Sequence, residues 1–393
     1  MQFILSMEFI KMISYLHDER FNAHLAKLAQ NRTPCGIFFD FELIPADAAQ
    51  KVQVLQNLPL NVTCAIVLAD VQAAALRPLV DVPVITLEDF PRFGEENFPV
   101  KPQEVFMSEF ALFAPYFERH GIEVLAPSYI ESQSTVFAFM MRNLPALYSV
   151  YEMLNGDESK KVFCAAIKGR LSGKLRDYRY ATEPQYFLEG FLPNAGDIAV
   201  DGGAYDGATA VAFAGRGAKV YAFGMDAANF QNCRRRIAEH ADLNITLENL
   251  GLSDRSSVEH YDALGTGSRK NSDGAFTAQF VDLDSYVEQK NIPRVDYIKL
   301  DIEGAELDML HGAAQTIIRY KPKMAVSAYH KIEDLWTLPL YIKSLRPDYE
   351  FEFRHYKIDG TDYTLNEDQR AVMKYFDCSW LISTPWEMVL YCR

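Results

Sequence analysis

The sequence lacks a CxxC pair. Its six cysteines (Cys35, Cys64, Cys164, Cys233, Cys378 and Cys392) are scattered along 393 residues. That excludes a zinc knuckle or a disulfide framework and points to reduced thiols in a cytoplasmic protein. An excess of positive charge is also missing. The formal net charge is −14, which argues against a nucleic-acid backbone as the main partner. No apolar run reaches the roughly 18 residues that a membrane span needs, so none is expected. The N-terminal stretch MQFILSMEFIKMISYL has no basic leader and no small-residue cleavage site, and Glu8 and Lys11 interrupt it. It reads as an amphipathic helix running toward Leu28 rather than a signal peptide. Low-complexity tracts are absent as well.

What is present is apolar residue in quantity, 49% of the chain. At this length one hydrophobic core is too few, so two domains are expected. Residues 1–142 read as an N-terminal helix followed by a degenerate Rossmann-like α/β unit. Its strands are expected at Cys35–Phe39, Cys64–Leu68, Pro83–Thr86, Glu104–Met107 and Glu123–Leu125, and its helices at Ala46–Leu55, Val71–Leu76 and Phe110–His120. The first strand–helix turn of this unit, FFDFELIPAD, has no glycine loop, so no nucleotide is expected there. Residues 143–196 read as a helical connector. Its basic stretch Lys168–Arg179 is either a solvated face or an anion-binding lip.

Residues 197–393 alternate regularly. Strands are expected at Ile198–Asp201, Lys219–Phe223, Ile245–Leu250, Val295–Asp301, Lys323–Tyr329, Glu350–His355 and Met388–Cys392. Helices are expected at Asp206–Ala214, Ala227–His240, Asp284–Gln289, Glu303–Arg319 and Ile332–Leu345. This is an α/β, Rossmann-like, open seven-stranded sheet, whose ligands sit at the carboxyl ends of the strands.

The stretch IAVDGGAYDG at 198–207 is the most informative one. A short strand ends in Asp201, and Gly203, Tyr205 and Gly207 follow at the start of a helix. Glycine is needed where backbone meets a ligand or takes positive φ. The order D-x-G-x-x-x-G departs from the dinucleotide pattern G-x-G-x-x-G. An acid at the strand end repels a pyrophosphate and attracts an amine, which suits S-adenosylmethionine better than a nicotinamide cofactor. The ordinary strand–helix turn is the alternative.

Other strand ends carry polar groups too. YIKLDIEGAE supplies Lys299, Asp301, Glu303 and Glu306. Lys299 and Asp301 share one strand face, where an unpaired charge is costly. They form either a functional site or a structural ion pair with helix capping. His330, at the end of AYHKIEDLW, is the expected general base because imidazole titrates near neutral pH. His355 is a second candidate. No tight ligand spacing links Asp301, Glu303, His330 and His355 into a metal site, and no metal is expected.

The motifs VDGGAYDGATA, YAFGMDAANF, NLGLSD, LDSY, YIKLDIEGAELDMLHGA and YHKIEDLW…RHY together resemble the FkbM-type family of S-adenosylmethionine-dependent methyltransferases, over roughly residues 145–357 and the last strand. The resemblance implies a class I methyltransferase fold with an antiparallel last strand. It also implies O-methylation of a sugar, glycan or small-molecule hydroxyl, with S-adenosyl-L-methionine as cofactor. Asp301 and Glu303 would lie beside the reacting methyl group, and His330 and His355, read from the strand ends, complete the expected catalytic set. Cofactor contacts would fall to Asp201, Gly203, Tyr205, Gly207, Asp226, Asn249 and Asp254. The partner that the resemblance implies is a small-molecule or carbohydrate acceptor; a homodimer is compatible with the sequence, which is silent on oligomeric state.

One position departs from the family. Where a pattern like YAFEPD puts a ribose-binding acid, this chain has YAFGMD, with Gly224 in the acid's place. Asp226 is the expected substitute. The alternative function is a non-catalytic Rossmann-like binding or scaffold protein that has lost tight cofactor binding. The excursion Asp359–Thr384, with Tyr363, Tyr375 and Trp380 in it and Trp386 just beyond, is expected to shape the acceptor pocket.

Overall fold

The computed structural model describes residues 34–38, 61–67, most of 73–95, 101–107 and 114–125. It also describes 139–359 apart from 141, 173 and 264–267, then 381–382 and 386–393. The described residues fall into two compact units. One draws on 1–144, 161–180 and 357–385, the other on 145–160, 181–356 and 386–393. Residues 143–196, expected as a connector, are thus shared between them.

The first unit carries five short strands: β1 (Pro34–Phe38), β2 (Asn61–Val67), β3 (Val84–Thr86), β4 (Glu104–Met107) and β5 (Glu123–Leu125). They form a sheet of order β3-β2-β1-β4-β5 in which every pairing is parallel. Central strands such as NVTCAIV are near-continuous apolar runs, as a sheet covered on both faces requires. Cys35, Ile37, Ala65, Val67, Leu76 and Leu125 pack into its core. Helix α1 (Ala114–Arg119) precedes β5. The expected N-terminal helix, the expected helix at Ala46–Leu55, the FFDFELIPAD turn beyond Phe38, and Tyr363, Tyr375 and Trp380 lie outside the described residues. Within the basic stretch Lys168 meets Asp177, and Lys174 and Arg176 both meet Glu123 on β5.

Helices α2 (Leu144–Met153) and α3 (Asp157–Ser172) lead into the second unit. There follow β6 (Ile198–Gly202), α4 (Ala208–Gly215), β7 (Lys219–Phe223), α5 (Ala227–Ala238) and β8 (Ile245–Glu248). Next come β9 (Gly251–Leu252), β10 (Ser257–Asp262), β11 (Arg269–Lys270), β12 (Phe276–Val281), α6 (Leu283–Gln289) and β13 (Tyr297–Leu300). The chain continues through α7 (Glu306–Gly312), α8 (Ala314–Tyr320), β14 (Lys323–Ser327), α9 (Asp334–Leu345) and β15 (Phe351–His355). A two-residue pair, β16 (Ile358–Asp359) with β17 (Leu381–Ile382), belongs to the first unit, and β18 (Met388–Cys392) ends the chain.

The main sheet has seven strands in the order β15-β18-β14-β13-β6-β7-β8. β18 runs antiparallel to both of its neighbours, β14 and β15. The strand order reverses beside β6, which pairs with β7 on one side and β13 on the other. The carboxyl ends of these two neighbours therefore flank the glycine turn, the place where a doubly wound sheet binds its ligand.

Two local features differ from expectation. The helix expected over Glu303–Arg319 is two helices with a break at Ala313 (φ −115°, ψ 8°). At the neighbouring Gly312 an added Cβ would stand 2.2 Å from the Ser253 carbonyl oxygen, so the helix presses on a backbone segment there. Residues 251–281 also fold into a second sheet of order β11-β10-β12-β9, which sequence periodicity did not reveal. SVEHYD mixes polar and apolar residues on both faces, so its two-residue period is weak, and only FTAQFV alternates.

Candidate active site

The glycine turn is built as the spacing demands. Gly203 (φ +81°) and Gly207 (φ +85°) take left-handed backbone, and Tyr205 joins them at φ +44°. The Phe223 carbonyl accepts hydrogen bonds from the N–H groups of Gly203 and Ala204, which ties the turn to β7. Gly203 also presses on the end of β13: an added Cβ would lie 1.8 Å from the Asp301 carbonyl oxygen. Only a residue without a side chain fits both constraints. Tyr205 is 46% exposed at the crest of the turn.

Asp201 is completely buried, and it is not free to meet a ligand's amine. Its carboxylate lies 3.2 Å from the ammonium of Lys299, itself 3% exposed. The same ammonium donates to the carbonyls of Gly203 (2.8 Å) and Gly202 (3.3 Å) and lies over the Tyr186 ring. Burial raises the Asp201 pKa, and the Lys299 charge pulls against that rise. The expected attraction between Asp201 and a cationic group is therefore satisfied inside the protein. Asp201 and Lys299 act together as the brace of the turn.

On the β7 side, Gly224 ends the strand and faces open space. A Cβ there meets nothing within 4 Å. Asp226, the expected substitute for the missing acid, is committed elsewhere. Oδ1 caps α5 by accepting from the N–H groups of Ala228 and Asn229, and Oδ2 accepts from the Ser268 hydroxyl at 2.9 Å. Glu248, at the neighbouring strand end, accepts from the Tyr286 hydroxyl and pairs with Lys290. Asn249 is exposed, and Asp254 is paired with Arg255 on the turn after β9.

The end of β13 and the end of β14 build an acidic cluster around His330. The imidazole Nε2 lies 3.6 Å from Asp301 and 3.5 Å from Glu303, and Nδ1 lies 3.0 Å from Glu306. The His330 side chain is 8% exposed. The carboxylates sit close enough for ion pairing but out of line, so neither ring nitrogen has a well-directed hydrogen bond. Burial works against a charged ring, but Glu306, Glu303 and Asp301 outweigh it and push the pKa up to about 11. His330 is accordingly an imidazolium at neutral pH and does not serve as the general base expected of it.

Asp301 is held in the opposite state. Burial alone would raise its pKa, yet Lys299, His330 and the Tyr186 hydroxyl lower it below the usual value. It accepts from Tyr186 at 2.8 Å and from Tyr329 at 3.3 Å. Glu303 adopts φ +55° and Gly304 φ +92°, a left-handed pair that turns the chain back before α7. The Glu306 Oε1 atom closes that turn by accepting from the Ile302 N–H at 2.9 Å.

Three members of this neighbourhood escaped the sequence reading: Tyr186, Tyr329 and Glu387. Glu387 precedes β18, whose antiparallel course brings its start to the edge where the parallel strands end. Burial, and then the Asp301 charge, push its pKa up to about 7. Asp334 behaves likewise beside Glu306 and also reaches about 7. The antiparallel last strand was the signal that could have found Glu387. His355 does not join the cluster. It is buried on β15 with its Nε2 on the Trp386 carbonyl, and β18 lies between it and β14.

Residues 201–355 match the family model described as the Methyltransferase FkbM domain. No curated protein matches the chain. Among solved structures the chain is similar to a methyltransferase FkbM from Methylobacillus flagellatus KT, with 20% identity, TM-score 0.66 and 98% of each chain covered. It is also similar to a precorrin-6y C5,15-methyltransferase from Geobacter metallireducens GS-15 (9% identity, TM-score 0.33, covering 55% of this chain and 94% of that one). An rRNA methylase from Streptococcus thermophilus is a further match (14% identity, TM-score 0.30, covering 51% of this chain and 86% of that one).

Proposed function

From a chain whose residues 201–355 match the Methyltransferase FkbM domain, we infer an O-methyltransferase that uses S-adenosylmethionine and takes a hydroxyl of a sugar, glycan or small-molecule acceptor. The observation that carries the reading is the pairing, at one switch point, of a left-handed glycine turn with a carboxylate cluster.

The glycine turn suits the methionine half of the cofactor, since Gly203 and Gly207 leave backbone bare where a ligand must approach. Gly203, Tyr205 and Gly207 would hold that half, with Asp201 fixing the turn through Lys299. The ribose side offers open space at Gly224 and no free carboxylate among Asp226 and Glu248. Asn249 and Asp254 would border the base. When bound, the cofactor supplies an electrophilic methyl on a sulfonium.

The chain's own part is alignment and proton removal. Alignment carries most of the rate where the leaving group is already good. Asp301 and Glu303, whose side chains are 24% and 26% exposed, are the carboxylates of the cluster open to an acceptor. One of them takes the hydroxyl proton, while protonated His330 holds both in place. The scattered thiols support a cytoplasmic setting, and the acidic surface supports an uncharged acceptor over a nucleic acid.

The test is calorimetry with S-adenosylmethionine, followed by transfer of a labelled methyl to a panel of hydroxyl acceptors. Binding with label on oxygen supports the reading. Glu303→Gln should then lower kcat and leave cofactor affinity within about twofold. Absence of any heat at millimolar cofactor would favour the second reading, a binding protein, for which the bare Gly224 speaks.

A further inference from the structure

We propose that Asp301, Glu306 and His330 form a binding site for a first-row divalent metal ion such as manganese(II). One ligand atom from each of these residues lies within 4.8 Å of the others. Their positions in the chain (301, 306 and 330) give no metal-ligand spacing, and only the fold brings them together. The strand end supplies Asp301, the first turn of α7 supplies Glu306, and the end of β14 supplies His330.

Three atoms of the cluster are buried and have no directed hydrogen-bond partner. Glu306 is completely buried, and its Oε2 is left without one. The His330 side chain is more than nine-tenths buried, and both of its ring nitrogens lack a directed partner. Buried polar atoms are paired in the great majority of cases. Here a ring nitrogen, which offers its lone pair once an arriving ion displaces its proton, and a carboxylate oxygen face the same small volume. A further carboxylate, that of Glu303, lies 3.5 Å from the ring and favours any cation there.

The donor set selects the ion. Two carboxylates with one imidazole suit manganese, iron or zinc, whereas magnesium and calcium prefer oxygen alone. An ion bonded at about 2.1 Å holds its ligands no more than about 4.2 Å apart. The site reaches that size by an inward movement of the side chains of about half an ångström. Because Asp301 and His330 also border the acceptor position, a bound ion would lie beside the reacting hydroxyl. The site itself does not depend on that reading.

The experiment uses the full-length protein stripped with a chelator and titrated with manganese(II). Calorimetry should give one ion per chain, and pulsed paramagnetic resonance should show nitrogen-14 coupling from a single imidazole. His330→Gln and Glu306→Gln should each weaken binding by about 10–100-fold or more, at least what loss of outer support costs a metal site. Asp273→Asn, on an exposed turn, should change nothing. The resonance measurement needs no variant, so poor folding of either substitution leaves the test intact. The proposal is overturned by no binding at millimolar manganese, by binding without nitrogen coupling, or by magnesium competing on equal terms. Manganese binding with nitrogen coupling in a protein inactive toward every acceptor would uphold the site and count against the methyl-transfer reading alone.

Discussion

Two glycines at the same crevice should respond to alanine in opposite ways. At Gly203 the backbone sits at φ +81°, and alanine in left-handed backbone costs about 1–2 kcal/mol. Its Cβ would also stand 1.8 Å from the Asp301 carbonyl oxygen and 2.8 Å from its carbon. Relieving that overlap moves one strand end away from the other. The movement strains the hydrogen bond from the Asp301 N–H to the Gly202 carbonyl and the bond from Lys299 to Gly203. Each is worth about 1 kcal/mol, so Gly203→Ala should cost roughly 3–4 kcal/mol. For a unit of this size that lowers Tm by about 6–16 °C. At Gly224, φ is not left-handed and a Cβ meets nothing within 4 Å. Gly224→Ala should be neutral or raise stability by about 0.4–1 kcal/mol through the unfolded chain. Thermal unfolding followed by tryptophan fluorescence reads both, since Trp336 is buried in this unit. Equal shifts for the two variants would refute the reasoning, because composition alone would then explain them.

Gly224→Glu should restore a ribose-facing carboxylate and tighten S-adenosylhomocysteine binding about tenfold or more, as charge-assisted hydrogen bonds are worth about 1.5–3 kcal/mol each. Unchanged affinity by calorimetry would mean that the ribose does not pass Gly224. Lys299→Met strands the buried Asp201 charge and should destabilise by about 3–5 kcal/mol in denaturant. Adding Asp201→Asn should recover most of that loss, and a double variant no more stable than the single one would dissolve the proposed brace. The Cys64 and Cys233 thiols are pushed up to about 12, mainly by burial. At pH 8 about one in ten thousand is thiolate, so neither should be alkylated in the native protein. Mass-spectrometric labelling of either one before unfolding would contradict this.

The strands of the five- and seven-stranded sheets were legible because strands buried on both faces are continuous apolar runs. YIKL and MVLYC announce themselves, and the turn at Asp201–Gly207 follows from glycine spacing alone. The site was legible as a set of strand ends but not as a set of charge states. His330 looked like a base because imidazole is one in water. Three carboxylates converging from residues 301, 303 and 306 reverse that, and sequence does not show convergence. Asp226 looked available for a ligand, yet an aspartate before a helix is also a cap, and capping is what it does. Gly224 could be read in both ways: the missing acid was visible, whereas the empty volume beside it needed the fold.

The contact of Gly203 with the Asp301 carbonyl has a practical side. Two segments about a hundred residues apart meet where one has no side chain, so neither can be resized without the other. Anyone grafting a new acceptor preference onto this scaffold must therefore transplant 201–207 and 299–306 as one cassette, because exchanging either alone would pry apart the seam on which both depend.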